Sequence, residues 1–134
     1  LLACKYPQNP QPGLVWLYRL PAEGGAAEAM AIDVAAVLAS TGLRRLRPSG
    51  LAWLPGPGPR ADRHMGRLLI LAGKERVLLE TDPFAGRVLA WRRLSRAWHR
   101  QAEGIAVAAD GSIVIADEAD GRTATLTRYA PTSP

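Results

Sequence analysis

Gln101-Ala102-Glu103-Gly104-Ile105-Ala106-Val107, a turn at Asp110-Gly111, and Ser112-Ile113-Val114-Ile115-Ala116-Asp117-Glu118 make two short apolar runs joined by a tight connection. Runs of this length, rich in β-branched residues and bounded by glycine or charge, predict a pair of antiparallel strands. The same order of parts occurs earlier in the chain: Ser49-Gly50-Leu51-Ala52-Trp53, a Gly/Pro loop, then Arg67-Leu68-Leu69-Ile70-Leu71-Ala72. A third apolar run follows in each unit, at residues 76–81 in the first and 123–129 in the second. In the first unit, a turn over residues 82–86 leads to a fourth run at 87–94. A repeated unit of four strands and about fifty residues is the signature of a propeller blade.

Working outward, residues 1–21 read as the end of an earlier unit. Leu1-Leu2-Ala3-Cys4-Lys5 matches the second strands of the later units, and Leu14-Val15-Trp16-Leu17-Tyr18-Arg19-Leu20 supplies a later strand. Residues 22–46 break the rhythm as a helical and loop insertion. Its Ala-rich part, with Ala31-Ile32-Asp33-Val34-Ala35-Ala36-Val37-Leu38, predicts a short helix near 26–40 that ends before Gly42. Residues 47–95 make a full blade and 96–131 an incomplete next one. Leu54-Pro55-Gly56-Pro57-Gly58-Pro59-Arg60 predicts a protruding loop, because its prolines and glycines exclude regular pairing. The expected fold is all-β: about three four-stranded blades of a larger, six-bladed ring.

Composition supports a packed core, with 134 residues, 48% hydrophobic and 22% charged. No apolar run is long enough to cross a bilayer as a helix. The chain opens in what reads as mid-strand and without Met, so an N-terminal portion is expected to precede it. Cys4, the single cysteine, has no internal partner for a disulfide. The net charge of +5 comes almost wholly from arginines scattered from Arg19 to Arg128, without the contiguous patch and motif that phosphate-backbone contact requires, so no nucleic-acid partner is expected.

The residues also carry a resemblance. Arg47-Pro48-Ser49-Gly50-Leu51-Ala52, Leu69-Ile70-Leu71-Ala72, and Gln101-Ala102-Glu103-Gly104-Ile105-Ala106 with Asp110-Gly111 and Ile115-Ala116-Asp117-Glu118 resemble the SdiA-regulated, YjiK-like β-propellers, relatives of phytase-like and esterase-like propeller domains. The resemblance covers most of the chain, and its most specific part runs from Glu103 to Glu118. It implies a bacterial propeller of the cell envelope, periplasmic or associated with the inner membrane through a preceding N-terminal segment. In some members it implies calcium and the hydrolysis of phosphate esters. A metal ion or a small phosphate-ester ligand is the partner it points to.

Glu103 opens the first strand of its unit and Glu118 closes the antiparallel second, so their carboxylates are expected at the same end of the sheet. Asp117 is expected to point to the other side of its strand from Glu118. The sister unit has Ser49 and about Gly73 at the equivalent places, so the acids are not a requirement of the fold. Three readings stay open for Glu103, Glu118 and Asp117. They hold a hard cation such as calcium, which takes about six to eight oxygen ligands. They act as an acid and base pair. Or they only accept backbone hydrogen bonds and form, with Asp120, a solvated turn. His64 and His99 lack a partner at zinc spacing and read as exposed or blade-connecting residues. Ser49 is not in a nucleophile elbow, and Trp16, Trp53, Trp91 and Trp98 read as core packing.

Overall fold

The computed structural model describes residues 1–7, 10–54, 66–119, 121 and 123–131. Three antiparallel meanders follow one another along the chain. The first is β1 (Leu2–Ala3), β2 (Leu14–Arg19) and β3 (Glu28–Asp33). Helix α1 (Ala35–Thr41) leads to the second: β4 (Gly50–Leu54), β5 (Arg67–Ala72), β6 (Val77–Asp82) and β7 (Arg87–Arg93). The third is β8 (Ala102–Val107), β9 (Ile113–Asp117) and β10 (Thr125–Tyr129), which forms its own sheet. A single parallel pair, Asp33 with Arg87, joins β3 to β7, giving a seven-stranded sheet in the order β1-β2-β3-β7-β6-β5-β4. That sheet curls until its edge strands β1 and β4 come together, so it is barrel-like and nearly closed. The chain is mostly β, as its repeated apolar runs predict.

The most deeply buried strand is β5, whose residues from Leu68 to Ala72 are all buried. Side chains of a strand alternate between faces, so a continuous apolar run needs cover on both sides. Leu68, Ile70 and Ala72 join Val77 and Leu79 of β6 in a core shared with Val15, Leu17 and Ile32 of the first meander. Leu71 points the other way, into a second core with Leu94, Ala102 and Ile115. The second meander is therefore packed between its two neighbours. β7 is exposed along nearly its whole length. The turn into it is set by Asp82, whose Oδ1 accepts from the N–H groups of Phe84 and Ala85 at 3.1 and 3.0 Å.

The helix expected near 26–40 is corrected in its first half. Residues Glu28–Asp33 are strand, paired residue for residue with β2 from Arg19–Glu28 to Leu14–Asp33. Alanine favours helix, but a paired strand buries Ile32 against Val15 and Leu17, and this long-range packing outweighs local propensity. The helix proper starts after Val34, and the turn into it is held by Asp33, whose Oδ1 accepts the N–H of Ala35 at 2.9 Å. It ends at Gly42, where a left-handed φ of 68° closes the last turn, as the sequence predicts. Beyond Leu54, the Pro/Gly loop lies outside the described residues, as do His64 and Asp120.

The second and third meanders are locked by one serine. The Ser49 hydroxyl accepts the N–H of Gly73 at 3.1 Å and lies 3.1 Å from the Ala102 carbonyl oxygen, to which it donates. The Ala102 carbonyl occupies the place a side chain at Gly73 would take: a Cβ there would lie 1.7 Å from that oxygen. At Gly50, likewise, a Cβ would lie 3.0 Å from Cγ2 of Ile105. β4 and β8, the first strands of successive units, thus run side by side. Gly73→Ala is expected to cost about 3 kcal/mol in urea unfolding, at the upper end for overpacking because the obstructing atom is backbone, while Lys74→Ala next to it, at an exposed position, leaves stability unchanged.

Candidate functional site

One end of the sheets collects the residues of interest, because there β4 and β8 begin, β5 and β9 end, and β6 begins. β8 enters with a bulge: Ala102 faces Asp117 and Gly104 faces Ala116, leaving Glu103 without a partner on β9. A bulge re-aims the extra side chain, and this one turns the Glu103 carboxylate into solvent, 3.9 Å from the ammonium of Lys5. Glu118 follows the last residue of β9. Its N–H donates to the Gln101 carbonyl at 3.0 Å, and its exposed carboxylate accepts from the Gln101 side-chain amide at 2.5 Å. Glu103 and Glu118 therefore lie at the same end of one sheet, on segments tied through Gln101, and each has a protein partner.

Asp117 behaves differently. Its side chain is buried, and both oxygens are taken: Oδ1 accepts the N–H of Gln101 at 3.1 Å and Oδ2 lies 2.7 Å from Nδ1 of His99. An ionised carboxylate can only accept, so the His99 proton facing it sits on Nδ1. Nε2 is then free to accept from the Tyr129 hydroxyl at 2.5 Å. Burial, and next the negative charge of Asp117, push the Tyr129 phenol above its ordinary value, with Arg92 opposing them, so the phenol keeps the proton it donates. Asp117, His99 and Tyr129 form a closed chain of hydrogen bonds that ties the loop before β8 to β9 and β10.

The sister unit solves the same problem with other residues. Register aligns Gly50 with Gly104 and hence Arg47 with Gln101. The N–H of Arg47 donates to buried Glu75 at 3.1 Å, just as that of Gln101 donates to Asp117. The Arg47 guanidinium then neutralises Glu75 through Nε at 2.8 Å and Nη2 at 2.7 Å. In both units a buried carboxylate fixes the backbone as it enters the first strand, and a basic side chain or histidine completes the acid's hydrogen bonding. At the place Asp117 holds in its unit, the first unit has Ala72, so the carboxylate has moved to the following turn.

His99 lies in the connection between β7 and β8 and is buried, not exposed. Its link to Tyr129 and the role of Glu75 lay beyond the sequence reading. The one available signal was that His99 and Asp117 flank the two strands of the same hairpin. Ser49 is a structural bridge, in keeping with its lack of a nucleophile elbow. Of the tryptophans, Trp53 packs against the core and meets the Phe84 ring edge-on with centroids 6.4 Å apart, while Trp91 and Trp98 are exposed. Cys4 is a free, half-buried thiol. Among the described residues, no group of three or more His, Cys, Asp or Glu side chains is arranged to hold a metal, and no helix is long and apolar enough to cross a membrane. Scans against protein-family models, curated proteins and solved structures found no match to the chain.

A raised phenol contributes stability at pH values below the unfolded-state value and loses it as pH rises through the folded one. In a spectrophotometric titration the Tyr129 phenol is expected to ionise later than an ordinary tyrosine, and Tyr129→Phe removes that late phase. His99→Ala leaves the buried Asp117 carboxylate short of a donor and is expected to cost about 2 kcal/mol in chemical unfolding.

Proposed function

We propose that the three meanders are parts of a β-propeller, with β4–β7 one blade, and that the chain serves as a ligand-binding module of the SdiA-regulated, YjiK-like type, located in a bacterial cell envelope. The observation that carries this reading is the way the second meander is sandwiched: one face packs on the first meander, the other on the third, and the initial strands β4 and β8 are adjacent. Blades stacked around an axis place their first strands together in this manner. The end at which those strands begin is then the binding end, and it carries Glu103 and Glu118 exposed to solvent.

Calcium is the cation the family resemblance implies. The donors fit it in kind, since two carboxylates offer hard oxygen ligands, and the exposure of both suits an ion that exchanges with solvent. Asp117 contributes nothing further, because its oxygens are held by His99 and Gln101. Such a set would leave most of the coordination to water or to a bound ligand, which places it among weak, roughly millimolar calcium sites. Binding is favoured over hydrolysis because neither carboxylate is desolvated in the way acid–base chemistry uses. Calcium at several millimolar is expected to raise the melting temperature of the protein, and the double substitution Glu103→Gln with Glu118→Gln is expected to abolish the rise. An unchanged melting temperature in the unsubstituted protein would overturn the cation site.

A further inference from the structure

We infer that the cleft between the β5–β6 turn and the β7–β8 connection is a binding site for a phosphate-type dianion, gripped by Arg76, Arg96 and Arg100. The cleft is open, with a volume of about 610 Å³, and its lining is these three arginines and Ala97. It lies at the end of the sheets that also holds Glu103 and Glu118. It requires neither the cation proposed there nor ring closure, because all its residues belong to one continuous segment.

Unpaired charge is the first support. Lys5, Arg19, Arg47, Arg67, Arg87 and Arg128 each have an acidic partner. No ion pair involves Arg76, Arg96 or Arg100 among the described residues; the same holds for Arg44, Arg45, Arg92 and Arg93, but those do not line this cleft, whereas these three face one space. The acids nearest in sequence are turned elsewhere, Glu75 to Arg47 and Glu103 toward Lys5. Three like charges collected without compensation repel one another, and an anion between them removes that cost.

Backbone geometry is the second support. Arg76 has φ of 55°, and it is the one non-glycine residue in the left-handed region among those described. An arginine there costs about 1–2 kcal/mol that glycine would avoid. The conformation is held from both sides: the Arg76 N–H donates to the Gly73 carbonyl at 3.0 Å, and its own carbonyl accepts from Leu94 at 2.8 Å. The opposite wall is equally fixed. The N–H of His99 closes a helical turn onto the Ser95 carbonyl at 2.8 Å, and the buried His99 ring anchors that turn. Arg96 lies within that turn and Arg100 directly after it, and both line the cleft.

The chemistry follows from the lining. Guanidinium forks match tetrahedral oxyanions with paired hydrogen bonds, and three of them suit a doubly charged one. With Ala97 as the one apolar contributor, the cleft offers no surface for a large hydrophobic body. The ligand is inorganic phosphate or the phosphate group of a small polar monoester.

Isothermal titration with inorganic phosphate and with glycerol 2-phosphate, both in EDTA, tests this apart from any calcium site. Saturable binding of either is expected, and the tighter of the two tells free phosphate from a monoester. Arg96→Gln with Arg100→Gln is expected to weaken it about tenfold or more, the loss of charge-assisted hydrogen bonds. Arg76→Gly is the decisive variant: it relieves the backbone, so the melting temperature holds or rises, while phosphate binding falls about tenfold. No phosphate binding in EDTA, or undiminished binding in these variants, would overturn the inference. So would an oligonucleotide binding far more tightly with a steep salt dependence, since that marks a polyanion surface instead.

Discussion

The Ser49 hydroxyl, caught between the Gly73 N–H and the Ala102 carbonyl, is the contact on which the relation between successive units depends. It spans the two sheets with a single side-chain atom, and it works because Gly73 has no side chain to keep the Ala102 carbonyl away. Once that distance is set, Gly50 meets Ile105, β4 lies along β8, and Leu71 finds its core with Ala102 and Ile115. A larger residue at 73 would separate the sheets and open the second core to water, losing the burial that makes an apolar strand such as β5 stable.

Around this lock, each unit needs its incoming backbone held, and each does so with a buried acid. The difference between them is what the acid's second bond is spent on. Glu75 is neutralised by Arg47 within its own unit boundary. Asp117 is bound to a histidine that reaches Tyr129, so the last described strand is tied to the start of its unit. Because these acids are committed inside the fold, the exposed end is left with Glu103 and Glu118 on one side and uncompensated arginines on the other. Charge that is dispersed along the sequence becomes concentrated there by the topology, since the turn between β5 and β6 faces the connection from β7 into β8.

The strand rhythm was legible because its period is local: Leu68-Leu69-Ile70-Leu71-Ala72 and Ile113-Val114-Ile115 announce buried strands without knowledge of their partners. The pairing of Ser49 with Glu103 and of Gly73 with Glu118 as equivalents was legible too, from the repeat, and the register agrees with it. β3 was not, because Glu28-Ala29-Met30-Ala31-Ile32-Asp33 is helix-prone in isolation and becomes strand only through β2. The site was half legible. Chain position placed Glu103 and Glu118 at one end, and pleating turned Asp117 away from Glu118. The bulge at Glu103, the burial of His99 and the meeting of Arg76 with Arg96 and Arg100 depend on contacts between segments about a dozen residues apart or more, which no local pattern encodes.

Native-state hydrogen exchange of the β5 and β9 amides tests the lock most directly. With Ser49 bridging the sheets, the most protected amides of Ile70–Leu71 and of Ile115 should open together, with one common free energy, and Ser49→Ala should lower protection in both strands by the same amount. Exchange of β9 through a separate, lower-energy opening that Ser49→Ala leaves unchanged would contradict it, because the two sheets would then be independent units that merely touch.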